Sequence, residues 1–211
     1  MILIRHGQTE FNVVYGTTRR DPGIRDPSLT ETGRRQAADA AAALAKLPGG
    51  GGGVREIVVS PYVRALETAE IIAETLGGNL TLTVDPLVGE RVAFSCDIGS
   101  TCADLKARWP ALVFDHLNDP WWPEPEESEA AILRRVETFA GRHAARDDHD
   151  GVVVVSHWGF ILGMTGLRAT NGAVIRVDPQ RPRESATPLL MPPRVAELIA
   201  VALLPAATQA P

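Results

Sequence analysis

The chain has 211 residues, of which 45% are hydrophobic and 22% charged, and its formal net charge is -5. That length and composition suit one compact domain with a sizeable core, while the negative balance argues against a general binder of nucleic acid or of a membrane surface, since both need a basic face. Strand-like sequence from Ile2 leaves no room for a secretory leader and no apolar stretch reaches the ~18 residues of a membrane span, so a cytoplasmic protein is expected.

In chain order, the first apolar run, Ile2-Leu3-Ile4, ends in Arg5-His6-Gly7, which puts a cation and an imidazole where a buried strand hands over to a loop. Ligands of open α/β sheets bind at that place, outside the carboxyl ends of the strands. Residues 13 to 28 contain Gly16, Arg19, Arg20, Pro22, Gly23, Arg25 and Pro27 and read as an extended loop over the strand ends. Its arginines either meet an anionic substrate or are solvated. Thr30 suits the N-cap of an Ala-rich helix from Glu31 to Leu47, stopped by Pro48 and the flexible run Gly49 to Gly53. A second strand, Glu56 to Val59, is followed by Ser60 as expected N-cap and Pro61 in the first helical position. Apolar or small residues at 62, 65, 66, 69, 72, 73 and 76 then give a buried helical face, with Gly77-Gly78 as its stop.

Leu80 to Val84 reads as a further strand. From about 89 to 127 the texture changes to short helical pieces, one near Ala103 to Trp109, and to the stretch Pro120-Trp121-Trp122-Pro123-Glu124-Pro125. This looks like a cap inserted into the single domain spanning 1–211, with the two tryptophans expected to pack. Cys96 and Cys102 match neither a zinc pattern nor a redox pair and are expected to be reduced thiols. Ser128 can cap a helix to about Ala145 that carries Ile132, Val136, Phe139 and Ala140 on one face. His143, Asp147, Asp148, His149 and Asp150 follow as a polar turn, where no metal is expected. Val152 to Val155 reads as a central strand buried on both faces, ending in Ser156-His157. A helix from Trp158 to Leu167, a turn at Asn171-Gly172 and a strand from Ala173 to Val177 come next. Residues 178 to 194 read as a long surface loop, 195 to 204 as either helix or strand, and the tail as disordered.

The chemistry follows from the side chains that gather at the strand ends. Arg64 lies in the first turn of a helix, where a cation opposes the helix dipole. An oxyanion removes the conflict, because helix amides and a forked guanidinium both favour phosphate or carboxylate. Two guanidiniums, Arg5 and Arg64, disfavour protonation of neighbouring imidazoles, and a neutral imidazole is a nucleophile. His6 could then accept a phosphoryl group if an acid protonates the leaving oxygen; Glu90 is the leading candidate for that acid and Asp97 the second.

The segment Arg5-His6-Gly7-Gln8-Thr9-Glu10-Phe11-Asn12 resembles the Arg-His-Gly signature of the histidine phosphatase superfamily, the phosphoglycerate mutase-like group. The likeness continues through Gly23, Asp26, Leu29 to Ala37, Ser60-Pro61-Tyr62-Val63-Arg64-Ala65, Thr68-Ala69, Glu90-Arg91 and Ser156-His157-Trp158-Gly159. The resemblance implies a three-layer α/β sandwich: a mostly parallel sheet with helices on both faces and a small cap over the strand ends. It implies that His6 is transiently phosphorylated, that Arg5, Arg64, His157 and Asn12 bind the phosphoryl oxygens, and that Glu90 is the proton donor and later activates water. Gly23, Arg91 and Trp158 are further substrate-binding candidates, and neither metal nor cofactor is implied. Two departures stand out. Trp158 replaces the glycine often found after the second histidine, and Val92 to Asp97 lacks the Tyr-Gly continuation associated with mutases. The expectation is therefore a phosphatase for a small phosphorylated metabolite, with a mutase or a non-catalytic phospho-ligand module as alternatives and the oligomeric state open.

Overall fold

The computed structural model describes residues 1–47, 53–123 and 126–193. Four parallel strands form the body of one sheet: β1 (Ile2–Arg5), β2 (Glu56–Val59), β3 (Thr81–Val84) and β4 (Val152–Ser156). β5 (Val174–Arg176) pairs antiparallel to β1, and β6 (Thr187–Leu190) antiparallel to β5, giving the spatial order β3-β2-β4-β1-β5-β6. The helices are α1 (Glu10–Thr18), α2 (Glu31–Ala45), α3 (Val63–Leu76), α4 (Cys102–Arg108), α5 (Glu129–Ala144), α6 (Trp158–Thr165) and the single turn α7 (Pro182–Ser185).

Strand alternation sorts the core into two layers. Ile2, Ile4, Ile57, Val59, Val153 and Val155 face one way and join Ala40, Leu44, Leu66, Ala69 and Ile72 of α2 and α3. Leu3, Val58, Val152 and Val154 face the other way, toward Ile132, Val136, Phe139, Phe160 and Met164 of α5 and α6. Each central strand is apolar on both faces because helices cover both, which yields the three-layer architecture. Trp121 joins the first layer, edge-on to Tyr62 with ring centroids 4.7 Å apart, and donates its indole N–H to the Ser100 carbonyl at 2.8 Å. Among the described residues no helix is long and apolar enough to cross a membrane.

Three expectations are corrected. The extended loop expected over 13 to 28 begins instead as α1, which runs to Thr18. Val13, Val14, Gly16, Thr17 and Thr18 are poor helix formers, so local propensity hides it. It is held by a capping box between Thr9 and Asn12 and by burial of Phe11. The helix after β2 starts at Val63, capped at Tyr62, rather than at Ser60-Pro61. The Ser60 hydroxyl is engaged by His157 at 2.8 Å, and the Val63 amide donates to Asp26 Oδ1 at 3.0 Å instead. The surface loop expected over 178 to 194 contains α7 and the edge strand β6, in which Pro188 is tolerated because an edge needs no donor on its outer side. In the polar turn after α5, Arg146 binds Asp148 within the turn and Glu56 on β2. The polyglycine residues 49 to 52, the segment 195 to 204 and the tail lie outside the described residues.

Candidate active site

The carboxyl end of β1 is locked before any side chain is considered. The His6 amide donates to the Ser156 carbonyl on β4 at 2.9 Å, and the Gly172 amide donates to the Arg5 carbonyl at 3.1 Å. Gly7 donates to the Thr68 hydroxyl on α3 at 3.1 Å. A Cβ on Gly7 would overlap the Gly33 carbonyl, and one on Gly33 would overlap the Gln8 carbonyl, so two glycines let α2 touch the strand end.

That backbone fixes the tautomer of His6. Its Nδ1 lies 2.7 Å from the Gly7 carbonyl, which can only accept, so Nδ1 carries the proton and Nε2 keeps its lone pair. The ring is buried, and its pKa is pushed well below the ordinary histidine value, first by burial and then by the charges of Arg64 and Arg5. The neutral form is thus the resident one.

Arg64 is buried in the first turn of α3 and donates to the Cys96 carbonyl at 2.7 Å and to Asp97 Oδ1 at 3.1 Å. Asp97 Oδ2 in turn accepts the Ala93 and Phe94 amides, each at 3.1 Å. This buried carboxylate is the anchor of Arg64, and its acceptor positions are occupied. Arg5 donates to the Ala169 carbonyl at 2.9 Å. His157 ends the β4 connection fully buried, its ring centroid 5.0 Å from that of His6. Burial first, then Arg64, His6 and Arg5, hold its pKa well below the ordinary value. Its Nε2 meets the Ser60 hydroxyl, while its Nδ1 has no hydrogen-bond partner among the described residues.

Glu90 is half-buried across from this cluster. One carboxyl oxygen accepts the Gly159 amide at 2.7 Å and the Arg91 amide at 2.9 Å. A Cβ on Gly159 would overlap that oxygen, so a larger residue there would displace the Glu90 carboxylate. Burial, followed by the negative charge of Asp97, raises the Glu90 pKa against the opposing pull of Arg64. The site therefore pairs imidazoles kept neutral with a carboxyl that holds its proton more tightly than usual, the arrangement needed for a base and an acid together.

A cavity of about 610 Å³ opens onto this constellation, lined by Arg5, His6, Asn12, Arg64, Glu90, Arg91 and Trp158 among others. Buried His157 is not among the lining residues but adjoins His6, which is, and Gly23 lies outside the cavity, exposed in the loop after α1 with φ 75° and its amide on Asp21. Sequence reasoning missed Asn171, whose Nδ2 donates to Asn12 Oδ1 at 3.1 Å and to the His6 carbonyl at 3.2 Å. Asn171-Gly172 reads as an ordinary turn, and nothing local tells that the turn faces Asn12. Arg19, Arg168, Phe11, Tyr15 and Phe94 also line the cavity. Among the described residues no group of three or more His, Cys, Asp or Glu side chains could hold a metal ion.

Comparison with known proteins points the same way. The family model of the histidine phosphatase superfamily (branch 1) matches residues 1–172. A bifunctional protein of Mycobacterium tuberculosis is 36% identical over 158 residues, covering 74% of this chain and 40% of that protein, so the match spans about two fifths of that relative's length. A Proteus mirabilis protein named "Probable phosphoglycerate mutase GpmB" is 28% identical over 197 residues, 84% of each chain. Among solved structures, mycobacterial glucosyl-3-phosphoglycerate phosphatase superposes with a TM-score of 0.55 at 26% identity, covering 89% of this chain and 94% of that one.

Proposed function

Since the chain belongs to the histidine phosphatase superfamily, whose relatives here are phosphatases and mutases, we propose that it hydrolyses a small phosphate monoester in the cytoplasm through a phosphohistidine on His6. In this reading His6 Nε2 attacks phosphorus, the ester P–O bond breaks, and the Glu90 carboxyl gives its proton to the leaving oxygen. Glu90, now a carboxylate, takes a proton from water, which attacks phosphorus, breaks the P–N bond and releases inorganic phosphate. Arg5, Arg64, Asn12 and His157 hold the equatorial oxygens, and Arg91 and Trp158 border the leaving group. Ser60 can donate to His157 Nε2, which leaves Nδ1–H as a donor toward an oxyanion. Fixed cations stabilise the transferring group, so the proposed chemistry uses no metal and no cofactor.

The observation that carries this reading is the lone pair on His6 Nε2, fixed by the Nδ1 bond to Gly7, in a cavity shared with two guanidiniums and Glu90. His6→Ala should abolish release of phosphate from an aryl phosphate, and wild-type protein quenched after brief exposure to substrate should carry phosphohistidine. Retained turnover in the variant, or no trapped phosphohistidine, would sink the proposal. The Proteus mirabilis relative supports a mutase as second reading. Phosphoglycerate interconversion faster than phosphate release would select it.

A further inference from the structure

The cavity is larger than a phosphoryl group requires, and part of its wall is aromatic. Its volume of about 610 Å³ falls within the ~300–1,000 Å³ of sites that enclose a drug-sized molecule. Phe11 and Tyr15, one turn apart on α1, stack at 5.5 Å with ring planes 11° apart. Phe94 packs against both, at 5.6 Å from Phe11 and 4.9 Å from Tyr15. Phe94 is nevertheless 38% exposed, and of the exposed large hydrophobic residues described, it alone lines the cavity. Water against such a surface is unfavourable, and a flat apolar group placed there would displace it.

Both sides of this aromatic cluster are keyed to the phosphoryl site. α1 follows the His6 strand end directly through the Thr9 cap, which sets Phe11 and Tyr15 relative to His6. The Phe94 amide donates to Asp97, the same carboxylate that anchors Arg64. A phosphoryl group held by Arg5 and Arg64 thus has the rings at a set distance from its leaving oxygen.

We infer that the cavity selects phosphate monoesters whose leaving alcohol carries an aromatic or comparably flat apolar group, with Tyr15 and Phe94 as specificity-determining residues. This rests on the phosphatase reading for turnover but not for binding. A polyol leaving group would lose its hydration against the rings and leave Phe94 unsatisfied.

The test compares 3-phenylpropylphosphonate with 3,4-dihydroxybutylphosphonate by calorimetry on the full chain, and the corresponding esters, 2-phenylethyl phosphate and glycerol 3-phosphate, in turnover. Both leaving groups are primary alcohols, so the ratio reports the wall rather than leaving-group chemistry. The phenyl compound should bind about tenfold more tightly or better, and kcat/KM should favour its ester to a similar degree. Phe94→Ser and Tyr15→Ala should each move both ratios toward one, whereas a merely structural role would weaken both members of a pair equally. A wild-type phosphonate ratio of one or below, or ratios untouched by the variants, overturns the inference. Failure of both esters to phosphorylate His6 would instead defeat the phosphatase reading, and the phosphonate ratio would still decide the inference.

Discussion

At the scale of the residue, the site depends on two pKa displacements of opposite sign. His6 has to be neutral to attack, so its lowered pKa extends the active range toward acid. Glu90 has to be protonated to assist departure, so its raised pKa extends the range toward base. The rate should rise with pH as His6 loses its proton and fall as Glu90 loses its own. Glu90→Gln removes the acid but keeps a group of the same shape. We expect ~100-fold or greater loss of kcat/KM, which reports the phosphorylation step alone, on an alkyl phosphate, with disappearance of the basic limb. The loss should be much smaller on 4-nitrophenyl phosphate, whose phenolate leaves without a proton. Equal losses on the two esters, measured across pH, would remove Glu90 from the role of acid.

At the scale of the element, close approach of backbones positions the nucleophile. α2 meets the turn after β1 at Gly7 and Gly33, where each glycine abuts the other segment's backbone. The Thr30 amide donates to the Gln8 carbonyl at 2.9 Å across the same junction, and the Gln36 side chain accepts the Gln8 amide at 2.9 Å. A methyl group at Gly33 would meet carbonyl oxygen and amide nitrogen, neither of which can rotate away. Gly33→Ala should therefore destabilise the fold by about 3 kcal/mol, visible as a lower urea midpoint. An unchanged midpoint would show that α2 can slide without cost. The same junction explains why a run of β-branched residues becomes α1: the chain leaves β1 along a path set by α2, and Thr9 and Asn12 cap the first turn of the helix.

At the scale of the whole molecule, the acid is carried by a segment that is clamped by α5, the helix it packs against. Arg135 on α5 holds both carboxyl oxygens of buried Glu127, at 2.8 and 2.7 Å, and donates to the carbonyls of Leu87, Gly89 and Glu90. Arg135→Ala would strand the Glu127 carboxylate and free the backbone that presents Glu90. The expected result is a loss of ~3–5 kcal/mol in unfolding free energy, with a kcat/KM loss larger on alkyl than on nitrophenyl esters. Unaltered stability would show that Glu127 finds water or another partner. The strands at Ile2, Glu56 and Val152, the helix caps at Thr30 and Ser128, and the gathering of Arg5, His6, Arg64 and Glu90 were legible in the sequence. Hydrophobic period and caps are local signals, and a parallel sheet brings its strand ends to one side whatever the strand order. Tertiary structure alone decided that α1 is a helix, that Ser60 serves His157 rather than its own helix, that Asp97 anchors Arg64, and that Asn171 meets Asn12. Each of these depends on partners far away in the sequence or on a cap that outweighs weak propensity, so the physical cause lies in contacts that no local stretch of residues contains.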